Sequence, residues 1–212
     1  MPAAEQLAVF LRVIAQVDSY RSVCEIFQYS LETVSRNFRQ VLQGVLTLKD
    51  DYIVLPDSAT PCHPHIRNNS HFYPYFKDIL GAIDGTHISA IVPVHKQNQY
   101  RNRKDFISQN VMAAVSFDRQ FVYVASGWEG SAADMRVFKW ATEQGDFSVP
   151  QNMFSNNMYS ILYIYIYILT SYVMNKSGKM YLVDSGYANN DKLLAPVCRV
   201  QYHLSSFRNR SQ

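Results

Sequence analysis

Two short runs in this chain carry an apolar stretch into an aspartate, with glycine close behind. The first is Gly81-Ala82-Ile83-Asp84-Gly85-Thr86-His87 and the second is Met180-Tyr181-Leu182-Val183-Asp184-Ser185-Gly186-Tyr187. A carboxylate set among buried apolar side chains is costly unless something pairs with it. Two strand-like segments that each deliver one carboxylate point to a shared site, and oxygen donors of this kind suit a hard divalent cation such as Mg²⁺. The chemistry is metal-assisted phosphodiester hydrolysis, in which carboxylates hold two cations about 4 Å apart, one activating water and one steadying the leaving oxygen.

A few auxiliaries surround these acids. His87 has two readings: contact with a phosphate or a metal, and a hydrogen-bonded structural role. Asp134 could supply a further carboxylate, although a local role at the start of its helix is the preferred reading. Lys96, Arg101, Arg103 and Lys104, with Tyr100 among them, form the one compact basic cluster. For that cluster phosphate contact and a solvated loop both stay open. Cys62-His63-Pro64-His65 and His71 lack a second ligand pair and are interrupted by proline, so no closed zinc site is expected. The aromatic run Phe72, Tyr73, Tyr75 and Phe76 is expected to pack in the core.

The elements that must position these residues follow from periodicity. Residues 1–50 read as a small helical region. Leu7, Phe10, Leu11, Ile14 and Val17 make one helical face, and Asp18 and Ser19 end that helix and cap the next. Val23, Ile26 and Phe27 mark a short second helix. Ser30 caps a third with the face Leu31, Val34, Phe38, Val41, Leu42 and Val45. This is a helix-turn-helix-like layout, with Thr33, Ser35, Arg36 and Arg39 as the residues that would meet DNA. Five Lys/Arg are balanced there by five Asp/Glu, so a bundle without DNA contact is slightly preferred. Residues 51–80 are a proline-bearing connector. From residue 81 the pattern turns to strands: Ala82-Ile83 and Ile88 to Val92 around Asp84, then Asn110 to Phe117, a turn at Asp118-Arg119, and Phe121 to Ser126. A helix from about Ala132 to Glu143, capped by Ser131, precedes a fourth strand at Met180 to Val183. Three strands, a helix and a fourth strand give an α/β domain over residues 81–212, with an RNase H-like mixed sheet and flanking helices.

The stretch 151–177 stands apart. Its core, Ile161 to Leu169, alternates Tyr and Ile. It is shorter than the ~20 apolar residues of a membrane span, and as a strand it would present an aggregating edge. Tyr-Ile repeats are what a TA-rich non-coding stretch yields on translation, so a retained intron is the preferred reading. Its removal would join Pro150 to Gly178 through a short helix-to-strand loop.

Composition sets wider bounds. The 212 residues, 48% hydrophobic and 17% charged, suit one or two globular domains. A net charge of +3 permits nucleic-acid binding without arguing for it. Three scattered cysteines speak against a disulfide framework and for a reducing compartment. The N-terminus lacks the pattern of a secretory signal, and no basic run is dense enough for a nuclear signal.

The motifs together resemble one family, the plant PIF/Harbinger transposase-derived nucleases of the DDE superfamily, including proteins like Antagonist of Like Heterochromatin Protein. The resemblance is carried by Phe72 to Asp78 running into Gly81 to His87, and by Tyr100 to Lys104, Ser108 to Ala113, Gly127 to Ala132 and Asp134 to Phe138. Tyr181 to Tyr187, Tyr202 to Leu204 and Phe207-Arg208 complete it, and Glu5 to Leu48 look like the helical segment that precedes the catalytic domain. The resemblance implies a DNA endonuclease dependent on Mg²⁺ or Mn²⁺, with Asp84 and Asp184 as the first two metal-binding catalytic acids. It also implies a third acid, a Glu on a helix several tens of residues further on. Here 28 residues follow Asp184, Glu143 is the last Glu, and only Asp191 comes after Asp184. Ala133 stands where the family usually has His. The expectation is therefore a chain cut before its third acid, with weak or absent metal binding and no catalysis. The alternative is a domesticated module that binds DNA or protein partners in the nucleus. Both place the chain in the nucleus and away from membranes.

Overall fold

The computed structural model describes residues 1–150 and 178–196. The chain divides into two compact units, Met1–Ile53 and Val54–Gln212.

The first unit is all helical. Helices α1 (Ala3–Gln16), α2 (Tyr20–Phe27) and α3 (Leu31–Thr47) are separated by Val17 and Gln28, both in the left-handed region with φ near 58° and 57°. Ser19 and Ser30 cap α2 and α3 by accepting from the backbone N–H of Ser22 and Thr33. A four-residue helix, α4 (Lys49–Tyr52), follows. Val9, Val23 and Val34 form the buried centre, with Val13, Tyr20 and Phe27 packed around them, and Phe10 meets Phe38 at 5.2 Å between ring centroids. The expected face of α1 is corrected here. Phe10 is buried, but Leu7, Leu11, Ile14 and Val17 are exposed, and Val9 takes the central place. Periodicity supplied two overlapping apolar stripes, and the contact with α2 and α3 chose the one through Val9. Thr33 Oγ1 lies 3.0 Å from Ser30 Oγ, and Arg36 pairs with Glu32 at 3.8 Å.

The second unit is built on one five-stranded mixed sheet. Strand β1 (Ile79–Ser89) pairs antiparallel with β2 (Ser108–Ser116), which pairs antiparallel with β3 (Phe121–Glu129). On its other side β1 pairs in parallel with β4 (Met180–Leu182), and β4 with β5 (Leu193–Leu194), giving the order β3-β2-β1-β4-β5. This is the mixed sheet expected from the sequence. The turn expected at Asp118-Arg119 is present, with Arg119 at φ 63° and Ser116 N–H bonded to Gln120 O at 2.9 Å. Strand β1 runs through Asp84 to Ser89 and stops short of Val92, so Asp84 lies within a strand; Ile91 is fully exposed.

Helix α7 (Asp134–Glu143) packs on one face of the sheet. Val137, Phe138 and Ala141 join Ile83, Met112, Ala114, Tyr181, Val183, Tyr187 and Leu193 in the main core. The helix starts two residues later than expected, with Ala133 at its N-cap and no side-chain cap. Ser131 cannot serve, because its backbone N–H is tied to Gln99 O and Ala132 still belongs to a turn.

Residues 54–78 fold into this unit as turns and a single-turn helix, α5 (Pro64–Arg67), whose Ile66 is buried with Ile79 and Met180. His63 uses both ring nitrogens, Nδ1 accepting from His65 N–H at 3.1 Å and Nε2 on Asp118 at 3.1 Å. The aromatic run is also corrected. Phe76 packs with Ile66, but Phe72, Tyr73 and Tyr75 are exposed, since the turns holding them lie outside the sheet. Two short helical turns, the 3₁₀ turn Val94–Lys96 and α6 (Gln97–Tyr100), link β1 to β2. No helix among the described residues is long and apolar enough to cross a membrane. The insert 151–177 and the segment Tyr202 to Arg208 lie outside the described residues.

Candidate active site

Strand alternation decides which side each aspartate takes. Ile79, Gly81 and Ile83 of β1 are buried, while Ala82 and Asp84 face the other way and are exposed. On β4, Tyr181 and Val183 enter the core under α7, so Leu182 and Asp184 lie on the side of Ala82 and Asp84. Ala82 and Leu182 are register partners in the parallel pair. Two residues on, each strand delivers its aspartate to the same face at the same level. The pairing that one apolar-Asp pattern repeated twice led us to expect is therefore built by parallel register.

Each of these carboxylates is oriented by the glycine behind it. Asp84 Oδ1 accepts from Gly85 N–H at 2.8 Å, and Asp184 Oδ1 from Gly186 N–H at 2.9 Å. The second oxygen of each points to no hydrogen-bond donor among the described residues.

Asp134 joins from α7. The preferred sequence reading gave it a local role at its helix start, and the structure corrects this. Its Oδ1 accepts from Asn110 Nδ2 on β2 at 2.8 Å, and the same amide group donates to Ala132 O at 3.0 Å. The carboxylate lies over Gly85: a Cβ there would fall 2.4 Å from Asp134 Oδ1. Only glycine leaves it room.

Tyr187 ties the three acids together. Its ring is in the core, edge-on to Phe138, and its hydroxyl is buried with no hydrogen-bond partner among the described residues. Burial raises its pKa above the ordinary tyrosine value, and the negative charges of Asp134, Asp84 and Asp184 raise it further. All three aspartates thus act on one buried hydroxyl. Among the described residues none of the three has an ion pair with a basic side chain. Uncompensated carboxylate oxygens of this kind fit a hard divalent cation, which takes the rest of its shell from water. Among the described residues no group of three or more His, Cys, Asp or Glu side chains is gathered closely enough to hold one ion together.

The other candidates sit apart. His87 falls on the opposite side of β1 from Asp84, its Nδ1 3.1 Å from Ser108 Oγ and its ring edge-on to Phe106. Arg101 is held by Asp105 through the carboxylate at 3.1 Å and the carbonyl at 3.0 Å. Lys96, Arg103 and Lys104 are exposed. Their loop is pinned by buried Asn102, whose Oδ1 accepts from Lys104 and Phe106 N–H. Five strand residues separate Asp84 from Ser89, about 17 Å of chain, so this loop lies beyond the acids. Sequence reasoning did not single out Asn110, Gly85 and Tyr187 as site residues. The available signal for Asn110 was a polar side chain at a buried position in an otherwise apolar strand.

Residues 1–47 match a family described as a domain of unknown function (DUF8040). No curated protein and no solved structure matches the chain. Residues 83–212 match the family described as DDE superfamily endonuclease, whose nucleases are generally dependent on divalent metals. That match covers more than half of the chain, starts one residue before Asp84, and takes in Asp134 and Asp184. The chain belongs to the DDE superfamily endonuclease family, and the sheet with its paired aspartates is a transposase-derived nuclease domain.

Proposed function

We propose that Asp84 and Asp184 hold a divalent cation, Mg²⁺ or Mn²⁺, at a site descended from a DNA endonuclease of the PIF/Harbinger branch, in a plant protein that resides in the nucleus. The observation that carries this reading is the parallel register Ala82↔Leu182, which brings both aspartates to one face without a basic partner among the described residues. When bound, the cation supplies Lewis acidity at a phosphate oxygen. The chain's own residues do the rest. Gly85 and Gly186 N–H fix one oxygen of each carboxylate and leave the other free. Lys96, Arg103 and Lys104, held out on their own loop, contact backbone phosphates of a duplex away from the scissile bond. Arg101, engaged by Asp105, serves the loop itself.

A specific observation favours a second reading, a binding module without catalysis. No Glu follows Glu143 in residues 1–212, and catalytic groups of this kind act as a unit. A polypeptide of residues 1–212 is therefore expected to bind Mn²⁺ weakly and to leave supercoiled DNA intact above background. Asp84→Asn and Asp184→Asn should each abolish the Mn²⁺ heat in isothermal titration. Cleavage of the plasmid that disappears with Asp84→Asn would overturn the non-catalytic reading. Unchanged Mn²⁺ binding in both variants would overturn the cation site.

A further inference from the structure

Asp134 comes from a helix on the α7 side of the sheet, yet three features bind it to the acidic site. Asn110 is 1% exposed and spends both amide hydrogens holding the turn and the carboxylate in place. Position 85 has no side chain, and any Cβ there would strike Asp134 Oδ1. Two polar atoms at this spot are buried with no hydrogen-bond partner among the described residues: Asn110 Oδ1, 3.4 Å from that same Cβ position, and Tyr187 Oη, on which Asp134 acts more strongly than either Asp84 or Asp184. Tyr187 is 4% exposed. Orphaned buried polar atoms are rare and call for a missing partner such as water or an ion. Asp134 is not close enough to the other two acids to share direct ligation of one ion.

We infer that Asp134 is an outer-shell carboxylate of the cation site: it accepts hydrogen bonds from the hydration shell of a divalent cation held by Asp84 and Asp184, with Asn110 as its positioning residue. The assignment rests on the cation site proposed above. Mg²⁺ and Mn²⁺ bound through few carboxylates keep several waters, and those waters need acceptors. Partners one layer out commonly change metal affinity 10- to 100-fold. Asp134 brings a full charge, a fixed rotamer and a place next to the residue that follows Asp84. The bare glycine at 85 is what lets it come so near.

The test titrates the full chain, without DNA, with Mn²⁺ and with cobalt(III) hexammine, whose ammine shell does not exchange and so reads outer-shell contacts alone. Asp134→Asn keeps an oxygen to accept from Asn110 and removes only the charge. It is expected to weaken both probes by about tenfold or more, with an unchanged melting temperature in the absence of metal. Gly85→Ala pushes the end of the Asp134 side chain aside without touching the Asp84 carboxylate, and should give the same loss. The double variant should be no worse than either single one, the mark of one shared interaction. Full affinity in Asp134→Asn for both probes overturns the assignment. Loss for Mn²⁺ with none for the cobalt complex also overturns it, making Asp134 a direct ligand. Additive losses in the double variant would show that Gly85 acts independently of Asp134 and overturn the proposed contact. If Asp84→Asn and Asp184→Asn leave Mn²⁺ affinity unchanged, the cation site itself falls and takes this assignment with it.

Discussion

A methyl group added at position 81 would lie 2.1 Å from the carbonyl oxygen of Val115, on a strand that cannot yield without dragging the sheet. Gly81 is also where the β1–β4 register shifts. Gly81→Ala is expected to cost about 3 kcal/mol, the upper end for overpacking a tight interior, read from urea denaturation. The buried tyrosines give a second expectation. Burial raises Tyr181 and Tyr187 well above the ordinary tyrosine range. The folded state therefore holds these protons more tightly than the unfolded chain does. Their contribution is complete below the unfolded value, about pH 10, and is lost as pH rises through the higher folded values. The urea midpoint should hold level to about pH 9.5 and fall beyond pH 10. Tyr181→Phe should make that fall shallower. An equal fall in the variant would assign alkaline unfolding to other groups.

Elements whose signals are local were legible in the sequence. Ser19 and Ser30 were read as caps because their hydroxyls sit where a helix needs an acceptor, and both accept there. The β2–β3 hairpin followed from two alternating runs around Asp118-Arg119. The pairing of Asp84 with Asp184 followed from a repeated pattern, since parallel neighbours present equivalent positions side by side. Elements whose signals are tertiary were not legible. The buried stripe of α1 runs through Val9 because its partners lie there, which spacing alone does not say. The reach of Asp134 to Asn110 joins residues 24 apart through the packing of α7 on β2. Tyr187 reads as one more aromatic until its hydroxyl is found buried without a partner. The late start of α7 follows from a backbone bond between Ser131 and Gln99 that no cap rule contains.

The path of the whole chain turns on one contact. Pro150 O accepts from Lys179 N–H at 3.0 Å. The chain that leaves the second unit after Pro150 is thus already back beside it at Lys179. Val149 before this point and Met180 after it are both buried in that unit. If Pro150 were bonded directly to Gly178, the same contact would close a three-residue turn centred on glycine, a residue suited to such turns. Deleting residues 151–177 should therefore preserve the far-UV circular dichroism of the sheet and the cooperativity of unfolding, and should raise solubility. Loss of the cooperative transition would show that the segment belongs to the fold. The closed gap also has a meaning for the gene. A fold that meets itself on both sides of a junction does not register how many residues lie between. Selection for folding is then blind to in-frame sequence gained at that point, so an unspliced stretch landing there can be inherited without the sheet ever exposing it to purge.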